Sequence, residues 1–261
     1  MAVGIGIGQL MGLAREVRAS EGALPWIAVS GPGASELAAA LVAGGDRSAV
    51  QITESAVDPA VVIRLVEGDP TWEERGILRR LAGTSSPVIV VRRGGDVRVP
   101  HVLAGDVVES DAVVDIEAVA TAIARAVPGE GSALAARLPV LRPAVSRRLI
   151  AKTALANAVL AASSRLAQPQ LPLLALAQAR MLLLLGVARG EKLPRDPQSL
   201  ALAAGPSLAA ALGTGLAARA CVRRLPAGGP VARAVVAYGA TRALGSMLRR
   251  HGGGLSVRTG S

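Results

Sequence analysis

The sequence has few aromatic residues and almost no cysteine or histidine. Its 261 residues include no Phe, one Tyr and two Trp, so core volume must come from Ala, Leu and Val. The single cysteine, Cys221, excludes an intrachain disulfide and is typical of a reducing, cytosolic setting. Two histidines, His101 and His251, are too few to build a His/Cys metal cluster with it. We therefore predict no metal site.

Acidic residues are scarce in the second half of the chain. Residues 151–261 carry 14 Lys/Arg against Glu191 and Asp196, a net charge of +12, whereas residues 1–150 have a net charge of −2. This half favours an anionic membrane surface or an acidic protein as partner. Nucleic acid is disfavoured as a partner, because residues 151–261 contain one Tyr and no Trp or Phe, too few aromatic rings for bases to stack on. A bias toward Arg codons would explain the arginines but not the missing acids.

The first half of the chain alternates strand-like and helix-like segments. β-branched runs predict strands in WIAVS, AVQIT, AVVIRLV, PVIVV and VLAGDVVES. Helices are predicted to begin at a Ser35 cap, at a Thr71 cap and at the acids around Asp115. This alternation favours right-handed βαβ units and a parallel sheet over residues 25–130. Residues 1–24 predict a lead helix, and they lack the basic start of a signal peptide.

Strand signals end near residue 131, and four helices are predicted beyond it. They lie in the stretches LRPAVSRRLIAKTALANAVLAASSRLAQ, PLLALAQARMLLLLGVARG, PSLAAALGTGLAARACVRRL and PVARAVVAYGATRALGSMLRRHGGG. We therefore predict an α/β domain with a parallel sheet, followed by an all-α hydrophobic domain over residues 131–251 and a disordered tail over 252–261.

Two apolar segments are candidates for membrane spans. Residues 197–218 carry no charge over 22 positions, which is long enough to cross a bilayer. Small residues recur there at every fourth position, at Gly205, Ala209, Gly213 and Ala217. Such a stripe suits close helix packing in lipid, in a soluble core or between subunits of a homo-oligomer. Residues 171–187 are more hydrophobic but contain Arg180, which costs roughly 2.5–3.5 kcal/mol at the bilayer centre. One or two spans, peripheral docking and a soluble helical core all stay open.

The stretch WIAVSGPGASELAAAL predicts a strand, a glycine turn and a helix, the arrangement in which many proteins hold a phosphate. In P-loop register, the positions of the last Gly, the Lys and the Ser/Thr are occupied by Glu36, Leu37 and Ala38. A dinucleotide-binding turn fits in part, since Gly31 and Gly33 match and Glu36 replaces the third glycine. Glu54 supplies the acid expected after the second strand. The simpler interpretation is a strand-to-helix turn that holds no phosphate.

The other parts of a nucleotide site are mostly missing. Glu67 and Asp69 follow the third strand, where an acid could hold magnesium, but neither an Asp-x-x-Gly nor an Asn-Lys-x-Asp motif follows. His101 and Asp106 form a conceivable His/Asp pair, although a lone loop histidine is more typical of an exposed position. We predict no catalytic residues and no resident cofactor. The candidate cofactor contacts are Gly31, Gly33, Ser35 and Asp69.

The C-terminal sequence resembles a known family. The stretches LAQARMLLLLGVARGEKL, residues 176–193, and LPAGGPVARAVVAYGATRALGSMLRR, residues 225–250, resemble the bacterial domain of unknown function numbered 697. The resemblance covers roughly residues 140–250. It implies a helical, hydrophobic, membrane-associated module of a kind found beside or fused behind Era-like GTPase domains. It also implies that the sheet derives from a GTPase-like ancestor, although this chain departs from the GTPase pattern at every nucleotide-contacting motif.

Two arginines in apolar helices are candidate anion or partner contacts. Arg180 and Arg242 need a carboxylate, helix carbonyls or an external anion such as a lipid phosphate, unless they reach the surface. Tyr238 and Thr241 fall near Arg242 on one helix face and are predicted to complete a polar cluster. These patterns favour a non-catalytic adaptor at the cytoplasmic face of a membrane. A soluble nucleotide-binding protein and a soluble homo-oligomer are the alternatives.

Overall fold

The computed structural model describes residues 7–21, 24–111, 113–127, 129, 131–163, 171–192 and 230–250. The chain divides into two compact units. The α/β unit comprises residues 20–145 with 188–190, and the helical unit comprises residues 1–19, 146–187 and 191–261. The boundary thus falls later than the predicted position at residue 130, and the lead helix belongs mostly to the helical unit.

The α/β unit is built on a five-stranded, all-parallel sheet in the order β2-β1-β3-β4-β5. The strands are β1 Ile27–Ser30, β2 Val50–Ile52, β3 Val61–Glu67, β4 Val88–Arg93 and β5 Val107–Ser110. All of β1 and most of β3 and β4 are buried, as expected for strands covered on both faces. The predicted fold class, an α/β region followed by a helical region, is confirmed.

Four helices connect or follow these strands: α2 Ala34–Val42, α3 Trp72–Ala82, α4 Ile116–Ala126 and α5 Gly131–Arg137. The predicted cap at Thr71 is confirmed, because its hydroxyl accepts from the Glu74 amide. Asp115, predicted as an acid at a helix start, is the N-cap of α4, and its carboxylate accepts from the amides of residues 117 and 118. The predicted Ser35 cap is wrong. Gly33, in a left-handed conformation, is the N-cap of α2, so Ser35 is an exposed residue of the first turn.

The two faces of the sheet carry different arginines. Successive strand residues point to opposite faces, and the pairing of β3 with β4 sets Val66 beside Arg92 and Glu67 beside Arg93. Leu78 of α3 packs in the cluster that contains Val66, so α3 covers the face that bears Arg92. Arg93 and Glu67 therefore belong to the other face, where α2 begins.

A short segment that was predicted to begin the helical domain holds the end of the α/β unit in place. Arg137, at the end of α5, donates from its guanidinium to Asp46 (2.9 Å), to the Pro25 carbonyl (2.6 Å) and to the Ser48 hydroxyl (2.7 Å). Leu134, Leu138 and Leu141 are fully buried beside it, the last in a 3-10 turn over Pro139–Leu141 that contacts α2 and α4. These contacts explain why the α/β unit extends to residue 145.

The helical unit contains most of α1 Ile7–Glu21, α6 Arg142–Ser163 and α7 Leu171–Ala188, and all of α8 Pro230–Arg250. The end of α1, the start of α6 and the last residue of α7 are assigned to the α/β unit. The helix α1 packs on α7 through the buried side chains Leu13, Ala14, Val17, Ala179, Leu183 and Val187. Ile150 of α6 packs on α7, and it lies so close to α8 that a side chain on Gly245 would overlap it. The predicted helix near residues 206–225 lies outside the described residues.

None of the helices in the described ranges is long and apolar enough to cross a bilayer. The uncharged run at 197–218 and its small residues Gly205, Ala209, Gly213 and Ala217 lie outside those ranges.

Candidate functional site

The glycine turn lies at the point in the sheet where ligands are expected. The chain leaves β1 toward β2 on one side and later resumes at β3 on the other, so the strand order reverses next to β1. Open α/β sheets bind ligands beside the carboxyl ends of the strands at such a reversal. The turn at Gly31 to Gly33 follows β1 at this edge and leads into the N-terminus of α2.

Gly31 is needed for packing. It has a φ of 95°, and a Cβ there would lie 3.1 Å from the carbonyl carbon of Leu65 and closer still to its oxygen. Its carbonyl accepts from the Ala34 amide at 3.2 Å, which closes the turn. An L-side chain is thus excluded by both conformation and space. The close approach of the turn to β3 explains this glycine without any ligand.

The space beside Gly33 is taken by an arginine from β4. A Cβ on Gly33 would lie 3.2 Å from both terminal nitrogens of Arg93. The Arg93 guanidinium lies 3.6 Å from the Glu36 carboxylate and 3.9 Å from the Glu67 carboxylate. Its side chain is only 21% exposed. The cation that a P-loop would supply from its own lysine comes here from a strand distant in sequence, and two carboxylates flank it.

A second arginine of this sheet is enclosed by carboxylates on the α3 face. Arg64 of β3 is 7% exposed in its side chain and donates from one nitrogen to both oxygens of Glu54, at 2.7 Å each. Its other terminal nitrogen donates to Glu74 of α3 at 3.0 Å. Glu54, the acid that the dinucleotide pattern places after the second strand, is therefore engaged by an internal cation.

The remaining arginine at this edge also has an internal partner. Arg92 of β4 donates to both oxygens of Glu109 on β5, at 2.9 and 2.8 Å, and to the Val97 carbonyl. The hydrogen bonds to Glu109 and the negative charge of that carboxylate raise the pKa of Arg92. A buried guanidinium needs such a bidentate partner, because an unpaired one would be costly.

Asp69, a candidate cofactor contact, makes a structural contact within the α/β unit. One of its oxygens accepts from the backbone amides of Asp96 and Val97, at 3.0 and 2.9 Å. It thereby holds the loop after β4 against the loop after β3. Within the described residues, no group of three or more His, Cys, Asp or Glu side chains is arranged to hold a metal ion. His101 is exposed, and Asp106 pairs with Arg125 at 3.3 Å.

A cleft of about 330 Å³ lies between the segment after β2 and the segment before β4. Its lining includes Ser30, Thr53, Glu54 and Asp58. The charged lining residues are both carboxylates, and Glu54 is held by Arg64. This lining disfavours a phosphate-bearing ligand.

The polar residues predicted in the helical unit do not form one cluster. Arg180 pairs with Glu16 of α1 at 2.9 Å, and both side chains are more than half exposed. Glu16 lies 164 residues from Arg180 in the sequence, so no short-range pattern indicates this pair. Thr241 is buried, accepts from the Asn157 amide at 3.0 Å and donates to the Ala237 carbonyl at 2.9 Å. Thr241 is therefore a packing residue between α8 and α6.

Arg242 and Tyr238 do meet, on the exposed side of α8. The guanidinium donates to the tyrosine hydroxyl at 3.1 Å and its carbon lies 5.7 Å from the ring centre. Among the described residues, no carboxylate lies within ion-pair distance of Arg242, whose side chain is exposed.

Comparison with known proteins gave no match among family models, curated proteins or solved structures. The resemblance of the C-terminal stretches to the domain of unknown function numbered 697 thus stays a prediction.

Proposed function

We propose that this protein is a non-catalytic adaptor, attached to the cytoplasmic face of an anionic membrane by its helical unit and presenting its α/β unit to a partner. The observation that carries the non-catalytic part is the position of Arg93. It fills the space beside the glycine turn where a nucleotide phosphate would lie, and Glu36 and Glu67 flank it.

The other ionic groups at the same edge support this interpretation. Arg64 and Arg92 are held by glutamates, and Asp69 is held by backbone amides. Catalysis of phosphoryl transfer needs cations aimed at the transferred phosphate and acids aimed at a metal. Here the arginines and glutamates neutralise one another, and Asp69 holds two loops together.

Charge supports the membrane part of the proposal. The helical unit has 17 Lys/Arg and three Asp/Glu, a net charge of +14, whereas the α/β unit has 12 Lys/Arg and 16 Asp/Glu, a net charge of −4. An anionic bilayer attracts basic segments by about 1 kcal/mol per residue near its surface. Such a surface selects the helical unit and repels the α/β unit, which leaves the latter turned to solution.

Sedimentation with vesicles tests the proposal. The full chain is mixed with neutral vesicles of phosphatidylcholine alone and with anionic vesicles that contain about 30% phosphatidylglycerol. Binding is expected only to the anionic vesicles, and it should weaken as salt rises. Absence of binding to the anionic vesicles at low salt would refute membrane attachment.

A soluble nucleotide-binding protein is the second candidate, and Arg93 again is the observation that favours it. Among the described residues, its guanidinium donates no hydrogen bond, its Nε is buried without a partner, and its two carboxylates lie beyond hydrogen-bond distance. A phosphate could therefore replace the exposed Glu36.

Thermal unfolding with a panel of nucleotides at millimolar concentration distinguishes the two candidates. A ligand at a hundredfold excess over its Kd stabilises by about 2.7 kcal/mol. The adaptor proposal predicts no stabilisation by any nucleotide. Stabilisation that Arg93→Met abolishes would favour the nucleotide-binding candidate.

A further inference from the structure

The outer side of α8 is apolar although it faces solvent. Val231, Val235 and Met247 are 74%, 65% and 58% exposed, and Gly239 and Ala243 between them are exposed too. We call these five residues the outer stripe. Residues spaced four apart advance by about 40° around a helix, so the stripe winds across the exposed half of α8, and from first to last it covers about 24 Å at 1.5 Å per residue.

The opposite side of α8 faces the core of the helical unit. Thr241, Leu244 and Gly245 are buried there, and the first and last of these contact Asn157 and Ile150 of α6. The helix is therefore fixed in rotation about its axis. Its outer stripe is a consequence of that packing, since rotating α8 to bury the aliphatic residues would break the contacts with α6.

The charges on α8 are of one sign. The helix contains Arg233, Arg242, Arg249 and Arg250 and no acidic residue. Arg242 is exposed next to the outer stripe and contacts Tyr238. An arginine paired with a tyrosine beside aliphatic side chains suits the boundary between lipid headgroups and acyl chains, where aromatic rings and cations are enriched.

The helix α6 offers a useful comparison. It also exposes two aliphatic residues, Leu155 (61%) and Val159 (60%), one turn apart. Its exposed apolar side is shorter than the outer stripe, and its described basic residues lie toward its start. Leu155 and Val159 therefore match the α8 residues in exposure without forming a stripe of comparable length.

We propose that α8 lies in the plane of an anionic phospholipid surface, with the outer stripe against the acyl chains and Arg242 on a lipid phosphate. This inference rests on the proposed function and names the surface that performs it. The occupant follows from charge complementarity, because a helix with four arginines and no acid, in a unit of net charge +14, fits an anionic bilayer. The combination of aliphatic area with cations is the requirement for an interfacial helix.

Two matched double variants test which helix binds. Val235→Glu with Met247→Glu places two carboxylates on the outer stripe, and Leu155→Glu with Val159→Glu does the same on α6. All four positions are exposed, so both variants are expected to fold, which circular dichroism checks. With vesicles containing phosphatidylglycerol, the α8 variant should bind at least tenfold more weakly than the parent chain, and the α6 variant should bind within threefold of it.

Quenching by lipid gives a readout that does not depend on loss of binding. The two native tryptophans, Trp26 and Trp72, belong to the α/β unit. An indole introduced by Val235→Trp should be quenched by phosphatidylglycerol with brominated acyl chains, whereas one introduced by Val159→Trp should not be. Each variant is compared with the parent chain to subtract the native signal.

The outcomes separate this inference from the function on which it rests. If the parent chain fails to bind anionic vesicles, the proposed function is refuted together with the inference. If the parent chain binds but the α8 glutamates leave binding unchanged, or the Val235→Trp indole is not quenched, the inference alone is overturned. Weaker binding of the α6 variant, with the α8 variant unaffected, would likewise overturn it and transfer the role to α6.

Discussion

Replacing Gly31 by alanine tests whether the glycine turn exists for packing. The matched control is Gly44→Ala, because Gly44 also has a positive φ, 70° against 95°, yet a Cβ there meets nothing within 4 Å. Left-handed backbone costs an alanine roughly 1–2 kcal/mol at either site, and the loss of glycine freedom in the unfolded chain returns about 0.4–1 kcal/mol. Gly44→Ala should therefore destabilise by about 1 kcal/mol or less.

Gly31→Ala carries an additional steric cost. Its Cβ would overlap the Leu65 carbonyl, which belongs to a buried central strand and is not free to move like a flexible side chain. Overpacking of this kind costs typically 1–3 kcal/mol. We expect a total of about 2–4 kcal/mol, which at a slope of roughly 2 kcal/mol per molar urea lowers the unfolding midpoint by about 1–2 M.

Tryptophan fluorescence during urea unfolding measures both variants. Trp26 and Trp72 belong to the α/β unit, and Trp72 is already 84% exposed, so the signal comes mainly from the partly buried Trp26. The packing interpretation is refuted if the free energies of unfolding of the two variants differ by less than about 0.5 kcal/mol, the margin within which effects at independent sites usually add. A ligand-only role for Gly31 would leave the stability of the two variants equal.

Three further predictions concern polar contacts away from the turn. Hydrogen bonds from the Ser48 hydroxyl and amide, and then from the Arg137 guanidinium, lower the pKa of Asp46 from 3.8 to about 2. The Asp46 carboxylate therefore stabilises the fold above pH 4, and this stabilisation is lost as the pH falls from 4 to 2. Over that interval, the urea midpoint of Asp46→Asn should fall less than that of the parent chain. Glu74→Gln removes an 18%-exposed carboxylate from the buried Arg64 and should cost more in urea unfolding than Glu54→Gln, which removes a 64%-exposed carboxylate and should cost about 1 kcal/mol or less; equal costs would contradict the importance of burial. Thr241→Val should destabilise α6 and α8 by about 1–3 kcal/mol in hydrogen exchange, and a second change, Asn157→Leu, should recover part of it.

Some of the architecture was predictable because its causes are local. β-branched runs between helix signals indicated the five parallel strands, and Thr71 and Asp115 marked helix starts with side chains that bond their own first turn. The predicted cap at Ser35 was wrong for a related reason. A serine is a common cap by residue type, but the N-cap at Gly33, with its positive φ, places the helix start two residues earlier than a Ser35 cap would.

The contents of the candidate site were not predictable from such patterns. Arg93 reaches the glycine turn because β4 lies beside β3 in a fixed register, and the sequence separates it from Gly33 by two strands and two helices. The pairing of Arg64 with Glu54 and Glu74 likewise depends on where α3 and the loop after β2 meet the sheet.

By itself, the sequence determined the fold class, the absence of the P-loop side chains and the concentration of positive charge in the second half, because these depend on composition and short-range periodicity. Only the tertiary structure decided that the turn is held by Leu65 and Arg93, that Glu16 pairs with Arg180, and that aliphatic residues of α8 face outward. Ion pairs and close contacts join residues far apart in the chain, and the order of strands and the rotation of each helix set which of them meet.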